Sequence, residues 1–265
     1  MSRSIKDLMD LSGRVAVVTG GAGHIGREIC DTLAELGAAV VVVDRQGAKT
    51  CADRVASDFS VKTLALDIDL SDEAATRSIA ASVERRFGRC DILINNAAFV
   101  GTSNLIGWAV PFAEQSAETW RQAIEVNLTA VFALSQSLAP LLSSRGGSIV
   151  NIASIYGNLG PDWRRYKGTV MGNPAAYAAS KGGLIQLTRW LATTLSPQVR
   201  VNAISPGGVE RAQPQAFADQ YNAQTPLGRM AREEDFKGAI AFLASDASAY
   251  VTGQNLMVDG GYSAW

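Results

Sequence analysis

A β-branched run that ends in a cluster of glycines, and then enters an amphipathic helix, constrains this chain more than any other stretch. Arg14-Val15-Ala16-Val17-Val18-Thr19 reads as the strand, and Gly20-Gly21-Ala22-Gly23-His24-Ile25-Gly26 as the turn. Ile25, Ile29, Leu33 and Leu36 then recur at helical spacing until Gly37 stops the helix. Ala39 to Val43 is a second apolar run, closed by Asp44. Strand, glycine turn, helix, strand and acid follow one another within about thirty residues, the length of one βαβ unit.

The alternation continues. Strands are predicted over Val61 to Leu66, Asp91 to Ile94, Ser148 to Ile152, Val199 to Ile204 and Asn255 to Val258. Helices are predicted over Glu73 to Phe87, Ala117 to Leu142, Ala176 to Leu195 and Glu233 to Leu243. Continuous apolar strands separated by helices imply a parallel sheet of about seven strands, covered by helices on both faces. The 265 residues contain no linker, repeat or low-complexity stretch, so residues 1–265 are expected to form one α/β domain. Three connections, Ala97 to Ser116, Ile155 to Ala175 and Pro206 to Arg229, are long and irregular. They leave the C-terminal ends of predicted strands, where open α/β sheets place ligands, and the third is expected to act as a mobile lid.

Composition narrows the function classes. Hydrophobic residues make up 47%, charged residues 18%, and the net charge is −1 with both signs mixed along the chain. That balance argues against a nucleic-acid or membrane-surface partner. Cys30, Cys51 and Cys90 have no metal-ligand spacing and read as reduced thiols, so no metal site is expected. Met1 to Ser12 lacks the apolar core of a signal peptide, and no apolar run approaches a membrane span. The expectation is a soluble, cytoplasmic protein.

Gly21-x-Gly23-x-x-Gly26 follows a strand and opens a helix, the context that gives a glycine fingerprint for a dinucleotide its meaning. Glycines let the backbone approach a pyrophosphate, and the helix N-terminus supplies free N–H groups and partial positive charge. Asp44 ends the next strand, where a carboxylate can accept from ribose hydroxyls and repel a 2′-phosphate. This favours NAD over NADP, although the adjacent Arg45 could accept that phosphate. Further on, Tyr177 and Lys181 stand four apart and therefore on one helix face. An ammonium beside a phenol favours the phenolate and readies it for proton exchange.

Thr19-Gly20-x-x-x-His24-x-Gly26, Asn95-Asn96-Ala97-Ala98, Asn127, Ser154, Tyr177-x-x-x-Lys181 and Pro206-Gly207 occur in this order. With the closing Val251-Thr252-Gly253-Gln254 and Val258-Asp259-Gly260-Gly261, they resemble the short-chain dehydrogenase/reductase family from about Leu11 to Tyr262. The resemblance implies a doubly wound Rossmann domain and an NAD-dependent oxidoreductase interconverting a secondary alcohol and a ketone. It implies that Tyr177 exchanges the proton with the substrate oxygen, and that Ser154 steadies that oxygen. Lys181 would hold the nicotinamide ribose and lower the Tyr177 pKa, and Asn127 would interrupt its helix and hold a relay water. Gly20, Gly23, His24, Ile25 and Gly26 would form the phosphate turn. Asp44 and Arg45 would meet the ribose, and Asp69 and Leu70 the adenine. Asn95 and Ala97 would line the cleft, and Pro206, Gly207 and Val209 would flank the nicotinamide.

The chain departs from the family pattern at several points. His24 replaces a glycine; its imidazole could sit near the phosphates, or the site could simply tolerate a side chain. Ala98 replaces another glycine. The segment between Ser154 and Tyr177 is long and carries Gly160-Pro161-Asp162-Trp163-Arg164-Arg165-Tyr166-Lys167, and Arg211 stands where the family often has threonine. Trp163, Arg164, Arg165 and Arg211 could bind an anionic or sugar-like substrate, and the loop could equally be a solvated surface or a subunit contact. The loop resembles a branch of the family tied to carbohydrate and surface-glycan metabolism. Family members commonly form homotetramers through the helix that carries Tyr177 and the long helix before it. The alternatives are an NADPH-dependent 3-oxoacyl-thioester ketoreductase and a dinucleotide-binding module without catalysis.

Overall fold

In a computed structural model, which describes residues 2–99, 105–166 and 172–265, the strands assemble into one seven-stranded sheet. In chain order they are β1 (Val15–Thr19), β2 (Ala39–Asp44), β3 (Thr63–Asp67), β4 (Ile92–Asn95), β5 (Gly147–Ile152), β6 (Val199–Pro206) and β7 (Asn255–Val258). Their spatial order is β3-β2-β1-β4-β5-β6-β7, and every pairing is parallel. The order reverses between β1 and β4, which opens a crevice at the C-terminal ends of those strands. This is the doubly wound Rossmann arrangement.

The helices are α1 (Ile5–Met9), α2 (His24–Glu35), α3 (Ala48–Phe59), α4 (Glu73–Phe87) and α5 (Ala117–Ile124). They continue with α6 (Ala130–Ser143), α7 (Ala175–Thr194), α8 (Gln215–Gln224) and α9 (Lys237–Ala244). Alternate strand residues feed two apolar layers, because successive side chains point to opposite faces. Val18, Val40 and Val42 pack with Ile29, Leu33 and Val55 of α2 and α3, and with Ile240 and Leu243 of α9. Val17, Val41 and Val43 pack on the other side with Ile79, Leu134, Leu138 and Leu191 of α4, α6 and α7. Coverage on both faces leaves every residue of β1, β4 and β5 buried, the polar Thr19, Asn95, Ser148 and Asn151 included.

The α4 boundaries match the reading from sequence because both ends carry their own signals. Asp72 accepts from the Ala75 N–H at 3.0 Å, and Gly88 takes a left-handed φ of 68° to close the last turn. Three helices were not foreseen, the first being the short α1 near the N-terminus. α3 buries Ala48, Cys51, Ala52 and Val55 along one face. α8 lies inside the supposed irregular lid and buries only Phe217 and Tyr221. The expected helix from Glu233 splits into a 3-10 turn, Glu233–Phe236, followed by α9.

Residues Ala117–Ser143 form one helical stretch whose most apolar window has a mean hydropathy of 1.3, long and apolar enough by composition to cross a membrane. The sequence reading had expected no such stretch, because charged residues near its start break any continuous apolar run. In the fold, Leu134, Leu138 and Leu142 of this stretch are fully buried on the sheet.

Candidate active site

β1 ends in Thr19, and the turn that follows is held from two directions. The Thr19 hydroxyl accepts from the Asn96 and Ala97 N–H groups at 3.0 and 3.1 Å, while the Asn96 carboxamide donates to the Thr19 and Gly20 carbonyls, both at 3.0 Å. Gly20 takes a φ of +63°, with Ala97 so close that an added Cβ would lie 2.8 Å from its Cα. Gly26 is tighter still, since a Cβ there would lie 1.9 Å from the Gly20 carbonyl oxygen. Gly23 caps α2 without a side-chain bond, which leaves the first N–H groups of the helix for a ligand. This narrow cradle, open at a helix N-terminus, fits a pyrophosphate.

The Asp44 carboxylate is fixed beside the turn. Oδ2 accepts from the Ala22 N–H at 3.0 Å and Oδ1 from the Arg45 N–H at 2.7 Å. The Arg45 guanidinium helps hold the Asp69 carboxyl below its usual range, after the larger effect of the Ser71 hydrogen bonds. Leu70 packs on the apolar layer below. His24 projects into solvent, with Nδ1 3.8 Å from Glu233 Oε1, and Ile25 packs on the core layer behind the turn. Asn95 does not line the crevice with its side chain as expected. It is buried, donating to Asn151 Oδ1 at 2.8 Å, and so ties β4 to β5.

A π-helical turn, Glu125–Thr129, separates α5 from α6 and is the interruption expected at Asn127. The Asn127 carboxamide is buried there. It accepts from the Phe99 N–H at 2.6 Å and donates to Phe99 O at 3.3 Å and Ser180 Oγ at 3.0 Å. It thereby clamps the chain leaving β4 against α7.

Ser154, just beyond β5, accepts from the Tyr156 N–H at 3.2 Å and lies near enough to the Tyr177 phenol to act on it. Burial pushes the Tyr177 phenol up, Ser154 pulls it back, the Tyr156 phenol adds to the rise, and the Arg211 guanidinium lowers it. The Lys181 Nζ stands 5.7 Å from the Tyr177 ring centroid and donates to the Ile152 carbonyl at 2.6 Å. Burial alone lowers its ammonium to about 8. Ser154 and Arg211 lower the phenol, and the Lys181 ammonium faces its ring. The arrangement can pass a proton between the phenol and a substrate oxygen held by Ser154.

β6 ends at Pro206, and Gly207 donates to the Val258 carbonyl at 3.0 Å. Val209 bridges Ala231, which returns the chain toward Glu233. Arg211 lies in this return, with Nε 3.6 Å from Glu233 Oε1. Tyr156 and Glu233 had no signal in the sequence as site residues. Only the strand exit two residues after Ser154, and the fold across the crevice, place them here.

The long loop divides. Tyr156 and Tyr166 join hydroxyls at 2.7 Å, and Tyr166 packs on Phe217 of α8 with ring centroids 5.8 Å apart. Trp163 is exposed, and Arg164 turns its guanidinium onto Asp162 through two bonds of 2.8 Å. Arg164 is thus spent within the loop, contrary to its expected place at the substrate. Only the backbone of Arg165 is described, and Lys167 lies outside the described residues. Arg211, another expected substrate contact, carries a charge that lowers the Tyr177 phenol.

A sequence model of a family described as enoyl-(acyl carrier protein) reductase matches residues 20–263. The chain is 37% identical over 258 residues to cis-4-hydroxycyclohexanecarboxylate dehydrogenase of Sinomonas cyclohexanicum, covering 95% of this chain and 97% of that one. It is 33% identical over 261 residues to the 3-oxoacyl-(acyl-carrier-protein) reductase FabG of Escherichia coli, covering 96% and 98%. Among solved structures, a putative NAD(P) dependent gluconate 5-dehydrogenase from Beutenbergia cavernae with bound NADP superposes with a TM-score of 0.86. It shares 37% identity over 97% of this chain and 100% of that one. With the glycine turn and the Ser154, Tyr177 and Lys181 cluster in one crevice, the chain belongs to the short-chain dehydrogenase/reductase family, oxidoreductases of CH–OH groups that bind a nicotinamide dinucleotide.

Proposed function

We propose that this chain is an NAD-dependent dehydrogenase of a sugar- or polyol-like hydroxy acid, whose carboxylate pairs with Arg211. The observation that carries the reading is the place of Arg211, in the return beyond β6 with Nε 3.6 Å from Glu233 Oε1, from where its charge adds the smallest of the influences on the Tyr177 phenol. A substrate with its carbinol oxygen on Ser154 and Tyr177 meets that charge with its far end. Two relatives at 37% identity carry names of hydroxy carboxylates, which supports the same chemistry.

When bound, the nicotinamide supplies the acceptor or donor of hydride. Ser154 orients the substrate oxygen, and Tyr177 takes the hydroxyl proton in oxidation or returns it in reduction. Lys181, anchored on Ile152 O, has further ammonium hydrogens for ribose hydroxyls. Asn127 holds α7 at the distance this requires.

Replacing Arg211 by Ala should raise KM for a hydroxy acid about tenfold or more, as expected for a lost charge-assisted contact, with little change for a neutral polyol. Steady-state kinetics on paired substrates, gluconate-type acids against xylitol-type polyols, measures this. Equal effects on both classes would remove the carboxylate from the reading. A wild-type preference for NADPH with 3-oxoacyl thioesters would replace the reading altogether.

Asp44 supports NAD. Its carboxylate is pinned by two N–H groups and cannot swing away from a 2′-phosphate. The Asp44→Ser variant should lose at least about tenfold in NAD over NADP preference, because the like-charge repulsion is gone. Ratios of kcat/KM for the two cofactors test it, and an unchanged ratio would move the discrimination elsewhere.

A further inference from the structure

Two thiols lie directly beneath the phosphate turn. Cys30 on α2 and Cys51 on α3 both donate to the Gly21 carbonyl oxygen, with Sγ···O distances of 3.8 and 3.3 Å. The two thiols thus converge on one acceptor, near enough for each to shift the other's titration. Both residues are buried, Cys30 completely and Cys51 to 5% exposure. The helices that carry them are tied by Arg54, whose guanidinium bonds both Asp31 carboxylate oxygens at 2.7 and 3.1 Å. The same guanidinium reaches the Cys51 thiol. The third thiol, Cys90, is elsewhere, donating to Ile92 O at 3.6 Å.

From this geometry we infer that Cys30 and Cys51 are a modification site, a dithiol that a peroxide converts to a disulfide and that thereby weakens dinucleotide binding. Cys51 is the attacking sulfur. The neighbouring Cys30 lowers its thiol first, with Arg54 adding to the effect, whereas Cys30 is raised by Cys51 and by burial. The Cys51 thiolate attacks one peroxide oxygen, the O–O bond breaks, hydroxide leaves, and Cys51 becomes a sulfenic acid. The Cys30 sulfur then attacks the Cys51 sulfur. The S–S bond forms, the S–O bond breaks, and the departing hydroxide leaves as water with the Cys30 proton. In sum, two thiols and hydrogen peroxide give one disulfide and two waters.

The consequence follows from Gly21. Its N–H donates to the Val43 carbonyl at 3.2 Å, and its carbonyl receives both thiols. An added Cβ at this glycine would lie 3.0 Å from Val42 Cγ1 and 3.2 Å from Cys30 Sγ, so there is no slack beneath it. Drawing the sulfurs together removes both donors from the carbonyl and shifts the peptide that precedes the helix N-terminus. The pyrophosphate cradle is built from that peptide and its neighbours.

The test is peroxide titration of the whole protein, followed by intact mass, thiol count and NAD binding by fluorescence. Expected are loss of two hydrogens, a fall from three thiols to one, and a Kd for NAD raised about tenfold and restored by dithiothreitol. Cys51→Ser and Cys30→Ser, each measured against its own untreated affinity, should keep that affinity under peroxide. The inference is overturned if all three thiols survive, if the disulfide forms without a change in Kd, or if the serine variants lose affinity as the wild type does. The readout is cofactor binding, so it stands or falls separately from the substrate assigned above.

Discussion

Replacing Tyr177 by Phe should lower kcat about a thousandfold while leaving the affinity for NAD within about twofold, the loss expected when a positioned acid-base group is removed. The phenylalanine ring keeps the packing of α7 against the crevice and removes only the hydroxyl. Ser154 keeps its bond from the Tyr156 N–H, so the substrate oxygen still has one partner. What disappears is the group that exchanges the proton. The Tyr156 phenol cannot take over, because its hydroxyl is bonded to Tyr166. Steady-state kinetics with a fluorescence titration of NAD separates the two quantities. Activity within tenfold of wild type would mean that another group moves the proton.

The second large effect is at Gly26. In Gly26→Ala the new methyl meets the Gly20 carbonyl oxygen at 1.9 Å and the Gly21 Cα at 2.9 Å. Neither can retreat. Gly20 is wedged against Ala97 and bonded by the Asn96 carboxamide, and Gly21 is held over the two thiols. Overpacking of this kind costs about 1–3 kcal/mol in stability. For a chain of this size that lowers Tm by roughly 2–6 °C. The turn must open to admit the methyl, so NAD affinity should fall by about a hundredfold or more, since the cradle's N–H groups no longer converge. Thermal denaturation and NAD titration check both parts. A folded variant with unchanged affinity would show that the turn does not hold the pyrophosphate.

Much of the fold was legible because its signals are local. β1, α2 and β2 announce themselves by period and by the glycines between them, and α4 carries a cap at each end. α8 escaped because its buried face holds only two isolated aromatics, with too little apolar contrast to reveal a helical period, whereas Ala48, Cys51, Ala52 and Val55 of α3 do stand at helical spacing. The same limit applies to the site. Tyr177 and Lys181 were visible as a pair one helical turn apart. Asn95 was misplaced because alternation along a strand of four residues, all buried, does not tell which side faces a ligand.

The sequence by itself determined the strand-helix alternation, the phosphate turn and the Tyr177 and Lys181 pair, because each depends on neighbours within a turn or two of chain. Only the tertiary structure decided which distant groups share the crevice. It set Arg211 toward Tyr177 and Glu233 between Arg211 and His24, spent Arg164 on Asp162, and put Cys30 and Cys51 on one carbonyl. Parallel strands joined by crossovers deliver their C-terminal ends to one edge of the sheet, whatever their separation along the chain. No local pattern records which side chains meet there, because the meeting is fixed by register and packing between elements.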